Sequence, residues 1–221
     1  MIRNRLSVLL AERSLTGTQL SKDTGIAQSS VSKIASNKTK SIDFEILDKI
    51  CIYLGIEPKD FFVYAPYNWK VFTKEGYWNE QDNCCTFLFH LKTPQKENNI
   101  LLNVWYRSVS SIDFPSDSTK YTVWAIVSVD NERNGAKDKD FYNFVLSLPL
   151  SLQAQFYEDI TALLQREIFK SGSTILIEDY DFNKEKISLK KSDKVYVSFF
   201  ENVQSENAPS EIKRDTTFKV V

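Results

Sequence analysis

The stretch from Thr16 to Asn37 constrains this chain more than any other part of it. Leu20, Ile26, Val31 and Ile34 are spaced so that two short helices, joined across Gly25, close a small core between them. Thr16 and Gln19 fit a reciprocal Thr-x-x-Gln cap, in which each side chain satisfies the other's orphan backbone N–H. One helix therefore starts after Thr16 and runs to about Thr24. Gly25 supplies the left-handed residue that a sharp reversal needs. The second helix covers about residues 28–36, and Asn37, which tolerates positive φ, is placed to end it. This is a helix-turn-helix arrangement, whose second helix can enter the major groove of DNA.

Helical geometry then sorts the second helix. At about 100° per residue, Ala27, Val31, Ile34 and Ala35 share one face, and Ser29, Ser32, Lys33 and Ser36 lie opposite. Gln28 sits at the N-terminal end and can reach forward. Gln pairs in bidentate fashion with adenine, Lys pairs with guanine and Ser with either, so Gln28, Ser29, Ser32 and Lys33 are the expected base readers. The loop Asn37-Lys38-Thr39-Lys40-Ser41 adds cations and small donors suited to phosphate, contacts that set register and make affinity salt-dependent.

Flanking elements agree with this reading. Ile2, Leu6, Leu9 and Leu10 line one face of a first helix over residues 2–13. Another helix spans residues 43–54, with Asp43 at its start and Gly55 after its end, and Pro58 opens a short last one over 58–62. Over residues 3–62 the chain resembles the XRE family, the phage Cro and repressor type of helix-turn-helix. That resemblance extends through Phe44-Glu45-Ile46-Leu47-Asp48-Lys49-Ile50-Cys51-Ile52-Tyr53-Leu54-Gly55-Ile56 and Pro58-Lys59-Asp60-Phe61-Phe62. It implies a five-helix DNA-binding domain that binds near-palindromic double-stranded operators as a dimer. It places Gln28, Ser29 and Lys33 at base-reading positions, and Thr16, Thr18, Lys38, Thr39 and Lys40 near phosphates, with Gln19 beside them. The family commonly has Ala where Ser21 stands, and Glu-x-Gly where this chain has Ala35-Ser36-Asn37.

Charge follows the same division. Residues 1–40 carry 7 bases against 2 acids, whereas the whole chain has 28 against 29, so only the N-terminal part offers a basic face. Residues 63–68, with Pro66, read as a linker between an N-terminal domain over 1–62 and a second domain over 69–221. The second domain reads as α+β, an antiparallel sheet plus one long helix over 152–170. Strands are expected at 70–73, 85–91, 100–107, 121–129, 141–148, 174–178, 186–190 and 194–200. After Glu201 a loose polar tail is expected until residues 217–221.

Several chemistries are disfavoured. No apolar run approaches the ~20 residues that span a bilayer, and the N-terminus lacks the features of a signal peptide. Three cysteines, two of them adjacent, make a poor disulfide framework and fit a reducing cytoplasm. A single histidine, His90, in an alternating apolar run, reads as a structural strand residue, and Cys84 and Cys85 read as buried, inert thiols. Glu178, Asp179 and Asp181 read as loop acids, so neither a metal nor a cofactor is expected. The chain lacks an Ala-Gly dipeptide and any Ser-Met pair, features of self-cleaving repressors, and it has no GxxxxGK[ST] or GxGxxG loop. No enzymatic activity is expected. The aromatic-rich second domain is assigned core and dimer-interface roles, with a small-molecule or protein effector site as the alternative.

The expected function is therefore a cytoplasmic, sequence-specific transcriptional regulator of repressor type, acting as a homodimer. The alternative is a protein-interaction regulator, an antitoxin or antirepressor target, whose second domain binds a partner protein and whose DNA binding is autoregulatory. A stable heteromeric partner favours the alternative, and a homodimer that shifts palindromic DNA alone favours the first.

Overall fold

A computed structural model describes residues 1–79, 84–135, 138–179, 181–200 and 210–220, with side chains for all of these except 74–79 and 132. Its contacts divide the chain into two compact units, Met1–Tyr67 with Leu148–Leu152, and Asn68–Ser147 with Gln153–Val221.

The N-terminal unit is helical, with α1 (Leu6–Glu12), α2 (Gly17–Thr24), α3 (Gln28–Ala35), α4 (Phe44–Leu54) and the short α5 (Pro58–Phe61). Their apolar faces meet in one core of Leu6, Leu9, Leu10, Leu20, Ile26, Val31, Ile34, Leu47, Ile50, Cys51, Leu54 and Phe61. Helix ends are set locally. Asp43 caps α4 by accepting the Glu45 N–H at 2.8 Å, and Gly55 ends that helix at φ 63°. The first helix departs from expectation. Residues 2–4 are not helical but form strand β1 (Ile2–Asn4), which pairs antiparallel with β2 (Phe62–Tyr64). Ile2 therefore sits exposed on a two-stranded ribbon instead of extending the apolar stripe of α1. Backbone pairing across some sixty residues outweighs a local helical period. Val63 and Tyr64, placed in the linker by the sequence reading, belong to this ribbon.

The second unit is rich in sheet and carries a long helix. Strands β3 (Asn68–Asn79), β4 (Cys84–Lys92), β5 (Glu97–Arg107), β6 (Val123–Val129), β7 (Thr174–Glu178), β8 (Lys184–Ser188), β9 (Lys194–Phe199) and β10 (Arg214–Lys219) form one eight-stranded sheet. Its main path runs β10-β9-β6-β5-β4-β3, with the β7-β8 hairpin attached to the end of β5. Three expectations are corrected here. The sheet is mixed and larger than the antiparallel one expected, because β6 pairs parallel with β9 and β5 parallel with β7. Of residues 141–148, read as a strand for their aromatic and β-branched content, all except Leu148 lie within helix α7 (Asp138–Ser147). Phe141, Tyr142 and Val145 are buried from that helix, a helical spacing that governs here, with Asp138 and Asp140 in its first turn. The loose tail expected after Glu201 falls partly on residues 201–209, outside the described residues, and its remainder holds β10.

Strand β6 is buried along its whole length, so apart from Ser128 it reads as an apolar run without alternation. Cross-strand register puts Val123, Ala125 and Val127 on one face with Val195, Val197 and Phe199. That side of the sheet packs with helix residues, since Phe89 meets Phe141 of α7 and Phe156 of α8 (Leu150–Lys170), each at 5.4 Å between ring centroids. On the opposite face Trp124, Ile126 and Tyr196 are covered by Phe114 and Tyr121. There the Trp124 indole N–H donates to Ser198 Oγ at 2.9 Å.

Candidate nucleic-acid interface

The reversal between α2 and α3 is built from several local devices. Thr16 Oγ1 accepts the Gln19 N–H at 3.1 Å and Gln19 Oε1 accepts the Thr16 N–H at 2.8 Å, a complete reciprocal cap. Gly25 stands at φ 72°, and its N–H donates to the Ser21 carbonyl at 3.0 Å. Ser21, where the family commonly has Ala, donates its hydroxyl to the Ile26 carbonyl at 2.6 Å and so ties the turn to the end of α2. At Gly17 a Cβ would lie 3.3 Å from Val31 Cγ1, so this glycine lets α2 pass close over α3.

Helix α3 ends in a left-handed turn that Asn37 makes in place of glycine, at φ 53°. The Asn37 N–H reaches the Ile34 carbonyl at 2.8 Å and the Lys38 N–H reaches the Lys33 carbonyl at 2.9 Å, the bond pair of a Schellman termination. The side chain of Asn37 does more. Its Oδ1 accepts the Asn4 N–H at 2.9 Å and the Asn4 Nδ2 at 2.8 Å, and its Nδ2 donates to the Asn4 carbonyl at 3.2 Å. Asn4, itself buried, also donates from Nδ2 to the Ile34 carbonyl at 2.8 Å and accepts the Leu6 N–H at 3.0 Å. An asparagine clasp thus fixes the end of α3 to β1. Sequence reading missed Asn4 because its partners lie some thirty residues away and no local pattern marks it.

Val31 and Ile34 are buried, while Ser29, Ser32 and Lys33 are exposed on the opposite side of α3 and Gln28 is exposed at its N-terminal end. Their side chains hold no hydrogen bond or ion pair within the described residues. Ser36, on the same side, differs, since its hydroxyl donates back to the Ser32 carbonyl at 2.8 Å. Among the residues expected near phosphates, Thr18, Lys38 and Lys40 are exposed and equally unengaged. Thr16 and Gln19 are exposed but committed to the cap, and the Thr39 hydroxyl donates to the Ser41 carbonyl.

Charge is distributed to match. The two acids of residues 1–40 are both engaged. Glu12 pairs with Arg5 and Arg13, and Asp23 accepts the Tyr53 hydroxyl at 2.7 Å, a bond that raises the Tyr53 phenol above its ordinary range. By contrast Lys22, Lys33, Lys38 and Lys40 have no carboxylate within ion-pair distance among the described residues. An exposed polar helix face flanked by uncompensated cations is the surface that duplex DNA binds.

The residues of the second unit weighed in the sequence analysis take structural places. Burial pushes the Cys84 and Cys85 thiols up to about 12, which keeps them protonated and unreactive. His90 Nδ1 lies 2.8 Å from Asn99 Oδ1 across the β4–β5 ladder, a strand pairing. Asp179 accepts the Asn183 N–H and Nδ2 at 2.8 and 3.0 Å, bonds that hold its carboxyl below the usual range and shape a turn. Among the described residues no cluster of three or more His, Cys, Asp or Glu is placed to hold a metal ion. No described helix is long and apolar enough to cross a membrane.

No curated protein matches the chain. One solved structure, described as that of a candidate DNA-binding protein from Bacteroides fragilis, is 28% identical over 28% of this chain and 100% of its own, with a TM-score of 0.27. A family described as the Cro/C1-type HTH DNA-binding domain matches residues 5–66. With its reversal, its exposed α3 face and this match, the segment 5–66 is a Cro/C1-type helix-turn-helix DNA-binding domain, in line with the XRE resemblance.

Proposed function

We propose that the protein is a sequence-specific transcriptional regulator of repressor type that binds a near-palindromic operator as a homodimer. In this reading α3 enters the major groove. Gln28, Ser29, Ser32 and Lys33 read base edges, Lys38 and Lys40 hold phosphates, and Thr16, Thr18, Gln19 and Thr39 lie along the backbone. The observation that carries it is the α3 face, which is exposed, polar and free of partners within the described chain while its neighbours Lys33, Lys38 and Lys40 lack carboxylates.

Dimerisation follows from the physics of recognition. One such helix touches only a few base pairs, and two half-sites about one helical turn apart make binding specific. The sheet-rich unit is assigned to pairing two copies, to receiving a small-molecule or protein effector, or to both. No catalytic step, metal or cofactor enters this reading.

Selection of bound sites from random duplex DNA by the full chain, at two salt concentrations, tests the proposal. Enrichment of a symmetric pair of half-sites is the expected result, with affinity falling steeply at the higher salt. Failure to enrich any sequence refutes specific recognition, and enrichment of a single unpaired half-site refutes the dimer.

A further inference from the structure

Beside the end of α3 lies a hollow of about 210 Å³ that Arg3, Thr39, Lys40 and Ser41 line, with the Asn4–Asn37 clasp as its wall. No acidic residue lines it. Arg3 comes from β1, outside both helices of the helix-turn-helix, and its state is unusual. Its NH1 makes one long contact, 3.4 Å, to the Asn37 carbonyl. Its Nε–H is buried without an acceptor, and no carboxylate stands within ion-pair distance among the described residues. The side chain is half-buried, so a donor-rich guanidinium lines the recess without a counter-ion among the described residues.

We infer that this recess receives a DNA backbone phosphate and that Arg3 is a phosphate-contacting residue. Ile2, Ile34, Ile42, Phe61 and Phe62 supply the recess with apolar wall, and its polar lining matches a phosphate. Arg3 and Lys40 supply two cations, and the Ser41 hydroxyl, which has no partner among the described residues, supplies a neutral donor. Thr39 shapes the turn by donating to the Ser41 carbonyl. The carbonyl end of α3 would repel an anion, and Arg3 at the Asn37 carbonyl offsets that partial negative charge. The recess adjoins the end of the helix assigned to the major groove, so a strand of the same duplex can follow from one to the other. This inference rests on the DNA-binding reading and adds to it a residue from β1.

A titration of labelled duplex by the full chain over a series of monovalent salt concentrations tests it, with both a selected operator and a random-sequence duplex. One lost phosphate contact makes the slope of log affinity against log salt shallower by about 0.9, which is about eightfold in affinity at 0.1 M salt. Arg3→Gln is expected to show that change on both duplexes alike, and Arg3→Lys to keep the wild-type slope. Should the glutamine variant fail to fold by circular dichroism, Arg3→Met, which keeps the apolar stem, replaces it. A wild-type slope in the neutral variant overturns the inference, even if that variant no longer binds inorganic phosphate. So does a loss confined to the operator, because a phosphate contact carries no sequence information. Absence of duplex binding by the wild-type chain refutes the DNA-binding reading itself, and the two failures are thereby distinguished.

Discussion

Removing the Asn4 side chain should cost more than any other single polar change in the N-terminal unit. Asn4→Ala deletes three hydrogen bonds, to the Ile34 carbonyl, to Asn37 Oδ1 and from the Leu6 N–H. The three losses differ in weight. The Ile34 carbonyl keeps the Asn37 N–H at 2.8 Å, and Asn37 Oδ1 keeps the Asn4 N–H at 2.9 Å. Each of those bonds counts only its net worth, about 1 kcal/mol. Leu6 is wholly buried, and its N–H loses the acceptor that Asn4 provided. An orphaned buried donor adds about 1–3 kcal/mol, so the total is about 3–5 kcal/mol. Denaturant unfolding followed by far-ultraviolet circular dichroism measures it, once the transition of the other unit, whose α7 and α8 also contribute to the signal, is separated. Tryptophan emission serves as an internal reference, because Trp69, Trp78, Trp105 and Trp124 all belong to the other unit. A loss below about 1 kcal/mol in the dichroism transition would refute the reasoning, since even one orphaned N–H costs that much. Asn4→Asp sharpens the test. It keeps the acceptor for Leu6 but turns an oxygen toward two other acceptors, which favours the protonated acid and raises its folded-state pKa. That variant should be most stable at low pH and lose stability as pH rises through the carboxyl range.

Three further outcomes are expected. Lys33→Ala should relax specificity by about 1–3 kcal/mol at one base position, while Lys38→Ala weakens binding to all sequences alike; equal losses from both on matched and mismatched duplexes contradict the assigned roles. Ser21→Ala, which deletes the 2.6 Å bond to the Ile26 carbonyl, should lower stability by about 1 kcal/mol in thermal melts, and no change would show that the turn holds without it. Cys84 and Cys85 should resist an aromatic disulfide reagent at pH 8 until the chain unfolds. Their folded thiols stand near 12 against about 9 unfolded, so the stability they add is present below pH 9 and falls as pH rises from 9 toward 12.

What could be read from residue order follows a physical rule. Thr16 with Gln19, Gly25, Asp43 and Gly55 act within a few residues of themselves, through backbone groups at helix ends. Their roles were legible and the structure shows them at work. The exposed set on α3 was legible for the same reason, because helical spacing alone separates Val31 and Ile34 from Ser29, Ser32 and Lys33, and Gln28 stands at the helix's N-terminal end. Residues 141–148 were misread because aromatic and β-branched content suits either a strand or a buried helix, and only the packing of Phe141 and Val145 decides between them.

Sequence alone determined the helix-turn-helix of this protein, since its period, caps and reversal are properties of neighbouring residues. Tertiary structure alone decided that Ile2–Asn4 is a strand, that Asn4 grips Asn37, and that β6 and β9 run parallel. Each of those joins groups dozens of residues apart, and a bond of that reach is chosen by competition among all the folded chain's partners, which no local pattern records.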